Sequence, residues 1–197
     1  MNQPMLIAIA GPPLAGKTTL GKNLAATLGI HYCDSDELRA AAFGVPTHEE
    51  YAKRWKNPTE AALITRKDMT LAYRLLHETV NLSLEADRSL IISATYASKS
   101  SQEFLLELVR TQEARLRFII CRVEQETDEE LKRRMRQRDE GKKFVYGTQT
   151  LIDYYHVKGR FEWPHKTGVF SPDDLLIIDT SQSVERCVNL SLNFIHG

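Results

Sequence analysis

The feature that most constrains this chain is an eight-residue motif near its N-terminus with the pattern G-x-x-x-x-G-K-[ST]. It reads Gly11-Pro12-Pro13-Leu14-Ala15-Gly16-Lys17-Thr18. The two glycines can adopt backbone angles closed to other residues, and they leave no Cβ between the backbone amides and a bound phosphate. Lys17 supplies a point charge for the β- and γ-phosphates, and the Thr18 hydroxyl can ligate Mg²⁺. The motif therefore predicts a loop that binds a nucleoside triphosphate.

The residues on either side of the motif favour this interpretation over a glycine-containing turn that binds nothing. The apolar run Leu6–Ala10 predicts a buried strand that ends at Gly11. After the motif, leucines recur at helical spacing until Gly29, and a glycine is typical of the position after a helix. Strand, loop and helix thus follow one another as phosphate binding requires. The candidate nucleotide-binding residues are Gly11, Pro12, Pro13, Leu14, Ala15, Gly16, Lys17, Thr18 and Thr19.

Five apolar runs in all predict strands, and helical patterns separate them. The expected strands are Leu6–Ala10, Ile30–Cys33, Ser89–Ser93, Leu116–Cys121 and Leu175–Asp179. Continuous apolar runs are typical of strands that are buried on both faces. The alternation of strand and helix predicts an α/β fold of three αβα layers around a five-stranded parallel sheet. Because ligands of such sheets bind at the carboxyl ends of the strands, we expect the segments that follow the strands to form one cleft.

Length and composition fit one domain over residues 1–197. The chain has 42% hydrophobic and 26% charged residues, enough to bury one core. The formal net charge is zero, so no overall positive charge indicates nucleic-acid binding. A local positively charged patch is still compatible with this composition. No apolar run approaches the ~20 residues that span a bilayer, and none has the pattern of a signal peptide. The three cysteines lack metal-ligand spacing, and we expect a cytoplasmic protein.

The segment after the second predicted strand contains the candidate acids Asp34 and Asp36. A carboxylate at this position can hold Mg²⁺ through water or accept the proton of an attacking hydroxyl. Arg39 follows one helical turn after Asp36 and can bind an anionic group of a substrate. The alternative is a helix cap at Ser35 or Asp36 with a solvated Arg39. The candidate substrate residues are Asp34, Asp36, Arg39 and Thr95, and the candidate metal ligands are Thr18 and Asp34.

A strongly basic segment follows the fourth predicted strand. Between Leu131 and Lys143 there are seven basic residues and two acidic ones. Arg134 and Arg138 lie four positions apart and therefore share one helix face. On a lid of about residues 127–149 they would neutralise charge that develops on the transferred phosphoryl group. A solvated basic face and a nucleic-acid patch are the alternatives. The candidate catalytic residues are Lys17, Asp36, Arg134 and Arg138.

In this order, the motifs resemble those of the P-loop kinases of the phage polynucleotide-kinase type. This group of AAA-type kinases is similar to gluconate, shikimate and adenylylsulfate kinases and to zeta toxins, and all of them have the nucleoside-monophosphate-kinase fold. The resemblance runs from about Met5 to Ser181, and only the phosphate loop is highly specific. It is carried by Gly11 to Thr18, Asp36-x-x-Arg39, Ile91-Ile92-Ser93-Ala94-Thr95 and Arg134-x-x-x-Arg138.

The resemblance implies roles for single residues. Lys17 and Thr18 would contact phosphate and Mg²⁺, and Asp36 would be the base for a substrate hydroxyl. Asp34-x-Asp36 is also similar to the D-x-D of shikimate kinases, in which the first acid serves the metal. The chain departs from the group at Ala94, where relatives often have aspartate. Asp34 would then carry more of the metal binding, or the activity would be altered. The remaining implied roles are a substrate anion for Arg39 and lid positions for Arg134 and Arg138.

The sequence therefore predicts an ATP-dependent kinase that transfers the γ-phosphate to an alcohol hydroxyl, with ATP and Mg²⁺ as cofactors and no membrane partner. The hydroxyl would belong to a nucleic-acid 5′ end or to a small metabolite, sugar or nucleotide. A nucleotide-binding regulatory ATPase without a separate phosphate acceptor is the alternative from another class. The missing Asn-Lys-x-Asp run argues against a GTPase.

Overall fold

The computed structural model describes residues 3–44, 47, 49–50, 53, 56–124, 126–140 and 150–197. Five strands, β1 to β5, lie at Met5–Ala10, His31–Asp34, Leu90–Ser93, Arg115–Arg122 and Leu175–Asp179. Eight helices in these described parts, α1 to α8, lie at Lys17–Leu28, Ser35–Phe43, Pro58–Glu85, Lys99–Thr111, Asp128–Asp139, Leu151–Gly159, Pro164–Thr167 and Val184–His196. A 3₁₀ turn at Pro172–Asp174 leads into β5.

The strands form one parallel sheet in the order β2-β3-β1-β4-β5. β1 lies at the centre, where Ala8 pairs with Ile92 of β3 on one side and with Phe118 of β4 on the other. The order reverses around β1, so the loop after this strand opens into the crevice where such sheets bind ligands. The five-stranded parallel sheet and the α/β class predicted from the sequence are confirmed.

Two hydrophobic cores lie on opposite faces of the sheet, because successive side chains of β1 point to opposite sides. Leu6 and Ala8 belong to the core that includes apolar residues of α3 and α4. Ile7 and Ile9 belong to the core that includes residues of α1 and α8. All four β1 residues are at most 1% exposed. Each buried Leu or Ile stabilises the fold by roughly 1.5–3 kcal/mol. The burial of β1 therefore fixes the position of the loop that follows it.

A third, smaller cluster joins helices α5 and α6 to the loop after β1. It is formed by Leu131 and Met135 of α5 and Tyr154 of α6, with Leu14 of the loop packed against them. The expected lid of residues 127–149 therefore begins as the helix α5, which rests on the loop. Its remaining part, residues 141–149, lies outside the described residues. The same holds for several residues of the segment 47–58, for which the sequence predicts a surface loop or a short helix.

Several local expectations need correction. Asp34, rather than Ser35 or Asp36, caps α2, because its Oδ1 accepts the backbone N–H groups of Asp36 at 2.8 Å and Glu37 at 3.4 Å. The sequence also predicts a helix that runs to Phe161 and is stopped by Pro164, but α6 ends at Gly159 and Pro164 starts the short helix α7. Among the described residues, no helix combines the length and apolarity needed to cross a membrane. All three cysteines are free.

Candidate active site

The loop between β1 and α1 has the backbone shape that its glycines permit. Gly11 has φ 140°, and a Cβ there would collide with the carbonyl oxygen of Cys121 at the end of β4. Gly16 has φ 79° at the first turn of α1. The Gly11 N–H donates to the carbonyl of Thr95 at 3.3 Å, which ties the loop to the segment after β3. Both glycines are thus required by geometry, as the motif predicted.

Lys17 is held inside this loop. Its Nζ donates to the carbonyl oxygens of Gly11 at 3.0 Å and Pro12 at 2.8 Å. Burial lowers the pKa of the Lys17 ammonium, while Cys121, Asp36 and Asp34 act in the opposite direction. The Lys17 ammonium therefore lies inside the curve of the loop. Asp34 and Asp36 are close enough for their charges to influence its pKa.

A clamp made by Arg134 and Thr180 holds the outer side of the loop. Arg134 of α5 donates from Nη1 to the Leu14 carbonyl at 3.1 Å and from Nη2 to the Thr180 carbonyl at 2.8 Å. The Thr180 hydroxyl donates to the Ala15 carbonyl at 3.0 Å. Glu130, one turn earlier on α5, accepts from Arg134 Nε at 2.7 Å. The side chain of Arg134 is only 14% exposed, so these protein groups use most of its donors.

Asp34 is the centre of a compact polar group at the end of β2. Its Oδ2 accepts the hydroxyl of Tyr32 at 2.9 Å and, more weakly, that of Thr18 at 3.4 Å. Its Oδ1 caps α2. Burial, followed by the charge of Asp34, raises the pKa of Tyr32, so this phenol keeps its proton and donates it. The Tyr32 ring lies so close to α1 that a Cβ on Gly21 would collide with it.

Asp36 lies on the first turn of α2, and its carboxylate forms an ion pair with Arg39 at 3.2 Å. Burial raises the pKa of Asp36, and the charges of Arg39, Lys17 and Arg138 oppose that rise. The side chain is 47% exposed, so contact with water also limits the shift. Of these two acids, Asp36 is therefore the one whose carboxylate is both accessible to water and close to the predicted cations.

Arg138 and Thr95 each lie close to other residues of the candidate site. Arg138 makes a two-pronged ion pair with its neighbour Asp139 at 2.7 and 2.9 Å, and its charge also reaches Asp36. Arg39, at the other side of Asp36, is only 18% exposed, and its Nη1 lies 3.4 Å from Met69 Sδ. The side chain of Thr95 lies near the Tyr73 hydroxyl, which accepts the backbone N–H of Tyr96 at 3.1 Å.

Ala94, the position at which the chain departs from the kinases that it resembles, is 2% exposed and packs in the apolar core shared with α3 and α4. Its N–H donates to the Ile9 carbonyl at 3.2 Å. A carboxylate in these apolar surroundings would need a compensating partner. The acidic oxygens beside Thr18 come from Asp34 instead.

The amino-acid sequence matches a known protein family. Residues 6–153, well over half of the sequence, match a family model described as an AAA domain. The chain belongs to this AAA domain family. Among curated proteins, no sequence matches the chain.

Solved structures share the fold of this AAA domain over nearly its whole length. A candidate kinase from Chloroflexus aurantiacus superimposes with a TM-score of 0.69 at 20% identity, covering 98% of this chain and 99% of that one. Kti12 from Chaetomium thermophilum, in complex with ADP-AlF3, gives a TM-score of 0.64 at 18% identity, with 98% and 100% covered. The gluconokinase of Sinorhizobium meliloti gives 0.61 at 16% identity, with 100% and 94% covered. The fold of P-loop kinases, predicted from the sequence, is confirmed.

The oxygen atoms of Thr18 and Asp34 suit Mg²⁺, which prefers hard oxygen ligands and is usually held by one or two carboxylates together with phosphate and water. The part of the chain that the structure describes contains no cluster of three or more His, Cys, Asp or Glu side chains suited to a metal. A site that relies on a few protein ligands fits magnesium better than a metal that requires a full set of protein ligands.

Three site residues escaped the sequence analysis. Tyr32 and Asp34 lie two apart on one strand and hence on one face, so the signal for their contact was present in the spacing. Thr180 follows directly after β5, at the ligand-binding edge of the sheet. For Tyr73, which lies in the middle of α3 and reaches the segment after β3, no spacing rule gives the contact.

Proposed function

We propose that this AAA domain is an ATP-dependent kinase that transfers the γ-phosphate to an alcohol hydroxyl. The observation that supports it most directly is the convergence of opposite charges around Lys17 and Asp36. Lys17 of the phosphate loop interacts with both Asp34 and Asp36, and Asp36 interacts with Arg39 and Arg138. A loop for a triphosphate, an accessible carboxylate and cations around it are the parts that phosphoryl transfer needs.

In this proposal the nine residues from Gly11 to Thr19 bind the phosphates, and Lys17 stabilises the charge on them. Asp36 accepts the proton of the acceptor hydroxyl, since its carboxylate is partly exposed and burial raises its pKa, which makes it a stronger base. Arg39 binds an anionic group of the substrate, and Arg138 stabilises the transferred phosphoryl group. Arg134 holds the loop in place from outside.

Thr18 and Asp34 are the proposed ligands of Mg²⁺. A Mg²⁺ ion held there would supply positive charge that offsets the charge of the phosphates. Tyr32 keeps the Asp34 carboxylate oriented toward Thr18 through its 2.9 Å hydrogen bond. Residue Thr95 lies beside the loop, where it can contact the acceptor.

The acceptor is a small hydroxyl-bearing molecule or a nucleic-acid 5′ end. The structural neighbours include a gluconokinase, a sugar kinase and a shikimate kinase, which supports a small-molecule acceptor. The formal net charge of zero is also compatible with a small-molecule acceptor, which needs no overall positive charge on the protein. The competing function is a regulatory ATPase that passes phosphate to water alone.

One assay separates these functions. ADP formation from ATP and Mg²⁺ is measured with and without nucleosides, sugars, sugar acids and a 5′-hydroxyl oligonucleotide. A kinase forms ADP faster with one acceptor and yields a phosphorylated acceptor in equal amount. Lys17→Ala should abolish this ADP formation, because it removes the charge in the phosphate loop. ADP formation that depends on Lys17 but rises with none of the acceptors would favour the regulatory ATPase.

A further inference from the structure

A pocket of about 240 Å³ lies beside the phosphate loop, at the carboxyl end of β4. We call it the Trp163 pocket. Its lining includes Pro12, Arg122, Glu126, Lys158, Trp163 and Lys166. Pro12 belongs to both sites, since its carbonyl oxygen also accepts Lys17 Nζ at 2.8 Å. A molecule in the pocket therefore lies next to the loop that binds the triphosphate.

The charges that line the pocket do not cancel. Arg122, Lys158 and Lys166 face two carboxylates, those of Glu124 and Glu126, which leaves a net positive charge. Arg122 pairs with Glu124 at 3.1 Å, and Lys158 pairs with Glu126 at 2.7 Å. Burial lowers the pKa of His165 at the rim, and the nearby Lys166 and Arg122 lower it further, which agrees with a positive local field. The pocket thus favours an anionic ligand.

The wall of the pocket is held in place by several strong contacts. Glu126 accepts the hydroxyl of Tyr154 at 2.7 Å as well as the Lys158 ammonium. Glu162, next to Trp163, donates its N–H to the Ala97 carbonyl at 2.7 Å, and its own carbonyl accepts Gln102 Nε2 at 2.7 Å. The backbone next to Trp163 is therefore held before any ligand binds, and a preformed wall is typical of small-molecule sites.

The lining also has the chemistry that polyols require. Carboxylate oxygens accept hydrogen bonds from hydroxyl groups, and ammonium groups donate them. The indole of Trp163 adds an apolar surface with a polar edge. Drug-sized ligands occupy pockets of about 300–1,000 Å³, so 240 Å³ indicates a smaller molecule. So small a volume also disfavours a nucleic-acid backbone, which has a phosphate at every step.

We propose that the Trp163 pocket binds the anionic end of a small polyhydroxylated acceptor, a sugar acid or a sugar phosphate, whose far end presents a hydroxyl to Asp36. This inference rests on the proposed kinase function. β2 and β4 are three strand spacings apart in the sheet, about 14 Å, so the acceptor must be extended. The long side chains of Lys158 and Lys166 shorten the span that the molecule itself must cover.

Tryptophan fluorescence tests the pocket without any catalytic step. The chain has two tryptophans, so in a Trp55→Phe background the signal comes from Trp163 alone. The probes are D-gluconate, D-glucose 6-phosphate and, as the neutral analogue, D-glucose. We expect saturable changes with an anionic probe and binding of glucose weaker by about tenfold or more, the worth of one charge-assisted hydrogen bond. The two anions distinguish a carboxylate from a phosphate end.

Lys166→Gln should weaken the binding of the anionic probe by about tenfold and leave that of glucose unchanged. Lys67→Gln, which changes an exposed lysine of α3, is the matched control and should leave both unchanged. Equal binding of glucose and the anions, no saturable signal with any probe, or a 5′-hydroxyl oligonucleotide that displaces the bound anion would overturn the proposal.

The two proposals fail in different ways. If an anionic probe binds with the expected dependence on Lys166 but is never phosphorylated, the kinase function is wrong and the pocket assignment stands. If a phosphorylated acceptor is found whose KM is unaffected by Lys166→Gln, the kinase function stands and the pocket assignment is wrong.

Discussion

At the scale of single residues, the two acids at the end of β2 differ in their surroundings: Asp34 is buried, and Asp36 is accessible to solvent. Asp34 is buried, and both of its oxygens bind protein groups: the hydroxyls of Tyr32 and Thr18 and the first N–H groups of α2. Asp36 has one ion-pair partner, Arg39, and an exposed carboxylate. Asp34 is thus held in one orientation by its hydrogen bonds, whereas the carboxylate of Asp36 is accessible to a substrate.

The first prediction concerns Asp36→Asn. General-base assistance typically contributes ~10²–10⁴-fold, so phosphate transfer to a verified acceptor should fall by at least ~10²-fold while ATP affinity stays within a few-fold. Stability gives a second readout. Because the folded-state pKa of Asp36 is raised, ionisation of this carboxyl opposes folding, and the associated stability is lost as the pH rises through that pKa.

At pH 7 the Asn variant should therefore melt at the same temperature as the wild type or higher. Any gain should vanish near pH 4 or below, where the wild-type carboxyl is protonated too. Thermal melts at both pH values check this. A clearly lower melting temperature at pH 7 would show that Asp36 is mainly structural, and near-full transfer activity would shift the role of base to another group.

The second prediction concerns Tyr32→Phe, which removes the hydroxyl that donates to Asp34 and keeps the ring. Partners of metal ligands typically contribute 10–100-fold to metal affinity, so the Mg²⁺ concentration for half-maximal ATP binding or turnover should rise by about tenfold or more. Tyr155→Phe is the matched control, because its hydroxyl donates to Asp128 at 2.6 Å on an exposed surface. An unchanged Mg²⁺ dependence in Tyr32→Phe would argue against Asp34 as a metal ligand.

At the scale of the elements, α1 is set by its contact with β2 as much as by its own sequence. Leu20 and Leu24 are buried against the sheet, as the helical spacing predicted. Gly21 looks like a weak point in that pattern, since glycine destabilises a helix by about 1 kcal/mol relative to alanine. The structure gives the reason for it: the ring of Tyr32 occupies the space that a Cβ would need.

The third prediction is therefore that Gly21→Ala destabilises the protein, against helix propensity. Moving the Tyr32 ring disturbs the contact with Asp34, and overpacking of this kind costs on the order of 1–3 kcal/mol. Gly159→Ala is the matched control in α6, where nothing lies within 4 Å of the new Cβ, and it should be neutral or slightly stabilising. Urea unfolding of both variants checks the difference. Equal effects would mean that the Tyr32 ring moves aside freely.

An element can be predicted from the sequence when the contacts that define it join residues close together along the chain. Strands in the sheet interior show as apolar runs, so all five could be predicted, with ends that differ from the structure by at most one residue. The phosphate loop was found because its geometry is encoded within eight residues. The cap at Asp34 was missed because Ser35 and Asp36 are equally good capping residues, and only the backbone path decides among neighbours.

At the scale of the whole molecule, contacts between distant parts of the chain assemble the site. Arg134 is 120 residues from Leu14 and 46 from Thr180, and its hydrogen bonds join α5, the phosphate loop and the end of β5. No periodicity or motif encodes such a contact, because it depends on how the whole chain folds. Their spacing predicts a shared role for Arg134 and Arg138 on the lid, but the two side chains have different surroundings in the structure.

The last prediction uses this difference. Arg134→Ala removes the clamp and leaves the partly buried carbonyls of Leu14 and Thr180 with fewer donors. Stability should therefore fall by about 1–3 kcal/mol, and ATP affinity should fall with it. Arg138 pairs only locally with Asp139 among the hydrogen bonds that the structure describes. Arg138→Ala should therefore leave the melting temperature almost unchanged and lower kcat by on the order of 10²-fold, the usual effect of losing one donor to the transition state.

Denaturation, calorimetry with ATP and steady-state kinetics on both variants give the three readouts. Arg136→Ala, on the same helix, serves as the control for the loss of a positive charge on α5. If Arg138→Ala raises only the KM for ATP, Arg138 binds the ground state and contributes nothing specific to the transition state. If Arg134→Ala unfolds at the wild-type denaturant concentration, the clamp does not hold the loop, and Arg134 would then be a candidate for the transition-state role assigned to Arg138.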